Sequence, residues 1–296
     1  MRVVSTSSSD GVCEQIFTVD GVPGVLWSPA GSAGRRPLVL IGHGGGQHKL
    51  APGVVARARR YVTGCGFAVA AIDAPGYGER PKTEQDERFV AEIGRRRAAG
   101  EQIGAMIARH NAARTAQVVS EWRATLDALA DLDQAGAGGP VGFWGVSLGT
   151  LIGVPLAAAE RRITAAVFGL AGAETLAEAA ARITIPVEFL LQWDDELVPR
   201  ADGLALFDAF GSPEKTLHAN PGRHAEVPAF EVDSSVRFFA RHLRDADAPA
   251  EATGGPLALP AAPRKQGGDG DRGEQQGQVG DGQVEQAHRS RRGTLF

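Results

Sequence analysis

Five stretches of the chain, residues 37–42, 67–72, 141–144, 165–170 and 186–193, are apolar almost throughout, not at alternate positions. A strand with one face in water alternates, whereas a strand covered on both faces by helices does not. These five therefore predict the central strands of a parallel sheet. Helical periodicity lies between and after them. From residue 117 onward Val118, Val119, Trp122, Leu126, Leu129 and Leu132 recur at helical spacing and make one apolar face. That run stops at the glycine- and proline-rich segment 135–140. Further helices are expected over 54–63, 150–160, 173–182, 202–210 and 230–243, the last with Val232, Val236, Phe239 and Leu243 inward. Pro155 falls inside the 150–160 helix and is expected to kink or interrupt it.

The margins of this pattern differ in kind. Short apolar segments at 16–19 and 25–27, separated by the turn residues 20–24, predict an antiparallel hairpin at a sheet edge. Residues 215–219 predict one more short strand. Between 79 and 114 the periodicity loosens into a charged stretch that includes Arg95-Arg96-Arg97. It is too long for an ordinary strand–helix connection and reads as an inserted helical segment or lid, its arginines a solvated face. Beyond residue 245 the composition turns to alanine and proline, then to glycine, glutamine and mixed charge. Such a segment cannot bury enough surface to offset its conformational entropy, so 246–296 is expected to be a disordered tail. The fold class expected is α/β, with a mostly parallel sheet flanked by helices over residues 12–245.

Composition narrows the function classes. The chain has 296 residues, 43% of them hydrophobic, enough for one large domain with a substantial core. A formal net charge of -4 gives no footprint for nucleic-acid binding. Cys13 and Cys65 are the only cysteines, too few for a disulfide framework or a cysteine zinc site. Residues 1–11 lack the apolar core of a signal peptide, and no apolar run reaches the length of a membrane span. The expected location is the cytoplasm, with no membrane partner, and nothing in the pattern speaks to oligomeric state.

The candidate chemistry sits where strands end. Gly145-Val146-Ser147-Leu148-Gly149 follows the strand at 141–144 and precedes a helix, the context of a nucleophile elbow. His43-Gly44-Gly45-Gly46 follows the first central strand, Asp194-Asp195 the fifth, and His224 the short strand at 215–219. In a parallel sheet the ends of the strands share one edge, so these segments are expected to converge there. A serine needs a base to become a nucleophile, a histidine can take its proton near neutral pH, and a carboxylate can orient that histidine. Both Asp194 and Asp195 qualify by position. His43 reads as a structural residue that holds its loop. His43 and His48 lack a third ligand at suitable spacing, so no metal site and no organic cofactor is expected.

These motifs, in the order serine, acid, histidine, resemble the α/β-hydrolase superfamily, in particular its dienelactone-hydrolase-like and small esterase branches. The resemblance covers residues 37–243. It implies an acid in an Asp-x-x-Val-Pro turn, which selects Asp195 over the runner-up Asp194, and a histidine after Pro-Gly-x, which selects His224 over His218. It implies an oxyanion hole built from the backbone N–H groups of Leu148 and Gly45. Dienelactone hydrolases use a cysteine where this chain has Ser147, so their substrate is not implied. The expected activity is hydrolysis of a small-molecule carboxylic ester through an acyl-enzyme. Acyl transfer, or cleavage of a thioester or peptide bond, by the same residues is the alternative within catalysis. A ligand-binding protein on this fold is the alternative outside it.

Overall fold

The computed structural model describes residues 1–244, apart from 32, 33, 35, 131, 133, 134, 136 and 137. The expectation of a disordered tail over 246–296 lies outside the described residues.

Among the described residues nine strands, numbered β1 to β9 in chain order, form one sheet in the order β1-β2-β3-β5-β4-β6-β7-β8-β9. The continuous apolar runs supply its centre: β4 (Leu38–Gly42), β5 (Ala68–Ile72), β6 (Val141–Gly145), β7 (Ile163–Gly169) and β8 (Val187–Gln192), followed by β9 (Lys215–Asn220). These six are mutually parallel. Every residue of β4, β5, β6 and β8 is buried, as two covered faces require. One apolar cluster lies on each face. Trp122, Phe143, Phe168 and Phe189 belong to one. Trp27, Tyr61, Trp144 and Phe239 belong to the other.

The expected hairpin is present as β2 (Val12–Val19) and β3 (Val22–Pro29), and β3 joins the rest of the sheet through β5. Its turn is tighter than expected, with Asp20 and Gly21 both at positive φ (49° and 81°). The sheet also begins ten residues before the expected start at residue 12, because Arg2–Ser9 forms β1, antiparallel to β2. Asp10 and Gly11, again at positive φ, make that turn. An exposed, serine-rich strand has no apolar alternation, so only the Asp-Gly turn could have announced it.

The helices are α1 (Pro52–Cys65), α2 (Glu84–Ala98), α3 (Gly104–Ala112), α4 (Thr115–Ala130), α5 (Leu148–Ala159), α6 (Ala177–Ala181), α7 (Arg200–Ala209) and α8 (Phe230–Leu243). Pro155 does not interrupt the helix: α5 runs through it from Leu148 to Ala159. A proline inside a helix costs about 3 kcal/mol. Ile152, Gly153, Val154 and Leu156 are buried around it, and that packing holds the turn together.

The stretch between 79 and 114 forms α2 and α3. Thr83 caps α2 in a capping box with Asp86, and the Asp86 carboxylate also pairs with Arg114 at the far end of the insertion. One carboxylate therefore ties both ends of the insertion. Its burial works against ionisation, but the hydrogen bonds from Thr83 and Arg114 hold its pKa below the ordinary value. Arg95 and Arg96 pair with Glu92 on the exposed side of α2, a solvated face as expected.

Candidate active site

The elbow is built by close backbone approach. A Cβ on Gly145 would lie 2.8 Å from the Gly149 backbone, and one on Gly149 would run into the Gly42 carbonyl oxygen of β4. Only glycine fits either place, which is why the serine is flanked as it is. Ser147 itself has φ 57° and ψ −118°, a conformation that costs on the order of 1–3 kcal/mol. Its N–H donates to Gly169 O of β7 (2.9 Å). Thr150, fully buried one turn on, holds the same strand end: its Oγ1 lies 2.6 Å from Gly169 O and accepts from the Gly169 N–H at 2.9 Å. Nothing in the sequence pattern marked Thr150, because its partners lie on a strand 19 residues away.

Ser147, His224 and Asp195 form one hydrogen-bonded chain. His224 Nε2 lies 2.8 Å from Ser147 Oγ, and His224 Nδ1 lies 2.8 Å from Asp195 Oδ2. The acid side fixes the tautomer: Nδ1–H donates to the carboxylate, leaving the Nε2 lone pair to accept the serine proton. The second Asp195 oxygen accepts from the amides of Leu197 (2.8 Å) and Val198 (2.9 Å), so the carboxylate is aimed from both ends. Its side chain is 3% exposed and that of His224 is 13% exposed, which keeps bulk water from competing for these bonds. Asp194 is exposed and uses only its backbone, its N–H donating to Gly222 O.

The loop that carries His224 is held by residues that sequence reasoning passed over. Gln192, at the end of β8 and buried, points Nε2 at the carbonyls of Glu226 (3.0 Å), Arg223 (3.3 Å) and Pro221 (3.4 Å). Glu196 accepts from the His224 N–H at 3.0 Å, and that bond, with Arg223 beside it, holds the Glu196 pKa below its ordinary value. Gly222 takes a φ of 112°, the left-handed side that the Pro-Gly sequence provides.

The glycine-rich loop after β4 lies on the other side of the elbow. His43 anchors it, its Nδ1–H donating to Gly44 O (2.9 Å) and its Nε2 accepting from the Ala74 N–H (3.0 Å). Both nitrogens are used, and burial lowers the ring's pKa, so His43 is neutral and structural, as its sequence context implied. Lys49, 1% exposed, meets the fully buried Asp73 at 2.9 Å and Glu79 at 2.5 Å, tying this loop to the turn after β5. Burial opposes the Asp73 charge, but the Lys49 and Glu79 amides and the Lys49 ammonium outweigh it and hold its pKa below the ordinary value. The Gly44 amide is turned to Gln47 Oε1, whereas Gly45 N–H meets no acceptor among the described residues. Leu148 is the first residue of α5, where a backbone N–H has no helical acceptor.

A cavity of about 350 Å³ opens at the serine. Ser147 and His224 lie on its wall with Leu151 of α5, Leu170 after β7, and Gly104 and Ile107 of α3. A Cβ on Gly104 would run into the Leu197 carbonyl, so α3 is seated against the turn that carries Asp195. Arg109 of α3 pairs with Glu174 across the cavity's margin (2.6 Å). Arg95, Arg96 and Arg97 do not line it.

No protein-family model matches the chain, and a search of curated proteins finds no match. Solved structures do. A PEG-bound complex of a cold-adapted esterase from an Arctic intertidal metagenomic library is 37% identical, covering 81% of this chain and 98% of that one, with a TM-score of 0.66. The native structure of such an esterase from the same source is 34% identical, covering 82% of this chain and 100% of that one, with a TM-score of 0.64. An acetyl xylan esterase from Paenibacillus sp. R4, 14% identical over 82% of this chain and 88% of that one, shares the fold (TM-score 0.57). Identity of this order over nearly the whole length of a solved enzyme, on a sheet of this order, establishes the kinship: the chain belongs to the α/β-hydrolase superfamily and groups with its esterases.

Proposed function

We propose that this carboxylic ester hydrolase works through an acyl-enzyme on Ser147. The observation that carries the reading is the chain Ser147–His224–Asp195, with both links at 2.8 Å, opening onto the 350 Å³ cavity. His224 takes the Ser147 proton as Oγ attacks the ester carbonyl, and then gives it to the leaving alkoxide. Asp195 orients the ring and stabilises the imidazolium. The Gly45 and Leu148 amides, which have no acceptor among the described residues, are placed to receive the developing oxyanion, each such donor being worth roughly 3 to 4 kcal/mol in the transition state. Water activated by His224 then releases the acid and restores the serine.

The cavity favours a small-molecule ester with an uncharged acyl group, because Leu151, Leu170, Ala171 and Ile107 line it and its margin carries Glu174 and Asp202. In this reading α2 and α3 act as a lid over the domain, and α3 supplies one wall of the acyl pocket. The two free thiols, Cys13 and Cys65, suit a reducing compartment, and the cytoplasm is the proposed location. No helix of the described residues is long and apolar enough to cross a membrane.

Ser147→Ala tests the mechanism. It should reduce kcat on a short-chain nitrophenyl ester by about 10⁶-fold while leaving Tm near that of the parent. Retention of full activity would exclude Ser147 as nucleophile.

A further inference from the structure

On the opposite side of β8 and β9 from the main aromatic cluster lies a second group of chemically able side chains. Glu188 of β8 and His218 of β9 stand on one face of adjacent parallel strands, and Glu231 in the first turn of α8 closes over them. Glu188 is 4% exposed and Glu231 2%. One ligand-capable atom from each of the three residues lies within 4.8 Å of the others.

The hydrogen bonding around these residues is incomplete in a specific way. His218 Nδ1 lies 2.9 Å from Glu231 Oε2, and Asn220 donates to the other Glu231 oxygen at 2.8 Å. With Nδ1–H committed to Glu231, the Nε2 lone pair faces Glu188 Oε2 across 3.8 Å. That is too long for a hydrogen bond, and both atoms are lone-pair donors. Glu188 Oε2 accepts from Ser234 at 3.2 Å, whereas Glu188 Oε1 is buried with no hydrogen-bond partner among the described residues.

We propose that Glu188 and His218 Nε2 bind a divalent transition-metal ion, zinc fitting best, with Glu231 orienting the imidazole and balancing the charge. Zinc bonds to imidazole nitrogen and carboxylate oxygen are about 2.0 to 2.2 Å long, which places two ligand atoms roughly 3.4 Å apart at a tetrahedral angle and about 4.1 Å apart in line. The observed 3.8 Å falls between. A carboxylate on the far nitrogen of a metal-bound histidine is the usual outer partner, fixing tautomer and ring plane. Two carboxylates and a neutral imidazole cancel the charge of a divalent ion. The His218 side chain, 26% exposed, provides the path for entry and for water ligands. The site serves the fold: β8 runs into the Asp195 turn and β9 into the His224 loop, so an ion bridging these strands steadies the bases of both loops.

Untagged full-length protein, stripped with a chelator and desalted, is titrated with zinc chloride and, separately, cobalt chloride. The wild type should retain about one equivalent of metal through gel filtration, gain thermal stability on loading, and give a cobalt absorption band of a nitrogen and oxygen site. His218→Gln should abolish that equivalent, and Glu231→Gln should weaken it by about tenfold to hundredfold. His218→Gln is partly exposed and tests the site even if Glu188→Gln fails to fold. Wild-type protein that retains no metal, or His218→Gln protein that retains it with unchanged affinity, would overturn the proposal.

Discussion

Asp194 and Asp195 are neighbours in the chain, and the structure gives them opposite environments. The Asp195 carboxylate is buried, receives two backbone N–H groups and faces His224. Asp194 is turned to solvent. The strand end left both aspartates open in the sequence, and only the resemblance to the family, through the Asp-x-x-Val-Pro pattern, pointed to Asp195. The residues that hold the relay could not. Gln192, Thr150 and Lys49 act through partners 19 to 34 positions away, and polar residues next to a strand end look the same whether they are buried or solvated. Asp195→Asn should therefore lower kcat by about 10⁴-fold, since the wrong tautomer is then favoured, with little change in KM. Asp194→Asn should leave kcat within about threefold, the range of an exposed substitution. Comparing kcat for the two variants on one ester decides between them, and the reverse order would move the acid to Asp194.

At the scale of elements, the continuous apolar runs gave the buried strands and the 3.6-residue period gave α4 and α8, because both signals arise from local burial. The misses share a cause. β1 exposes all eight of its residues and is specified by pairing with β2, and the interruption expected at Pro155 is absent because α5 packs on its buried side. The C-terminal end of α5 shows how elements are locked together. Glu160 meets Arg162 at 2.7 Å and Arg123 of α4 at 3.3 Å, and Arg162 reaches Asp127 of α4. Hydrogen bonding to Arg162 is the main cause that holds the Glu160 pKa at about 2, down from 4.5. A carboxylate whose pKa is lowered by folding adds stability above its unfolded value and loses it as pH falls toward the folded one. Wild-type protein should thus be more stable than Glu160→Gln near neutral pH, and the gap in denaturant midpoint should close between about pH 4.5 and about 2. A gap independent of pH would show that the carboxylate's charge contributes nothing.

For the whole molecule, the sheet brings four distant segments to one edge, and the insertion finishes the cavity above them. The insertion was legible as a helical interruption of the strand–helix alternation, but the seat of α3 on the Asp195 turn was not, since the contact is backbone to backbone at Gly104. Gly104→Ala places a methyl group against the Leu197 carbonyl and must lift α3. Overpacking of this kind costs about 1–3 kcal/mol. Tm should fall by several degrees, and KM for longer acyl esters should rise more than kcat falls. An unchanged KM across an ester series would show that α3 does not shape the acyl pocket. The central claim is a covalent intermediate on one serine at the C-terminal edge of the sheet. Rapid acid quench of the enzyme with a slowly deacylating nitrophenyl ester, followed by peptide mass spectrometry, reads that intermediate directly. The expected result is a mass increase of one acyl group on the peptide bearing Ser147, absent from Ser147→Ala; full turnover with an adduct at another residue, or with none, would contradict the account.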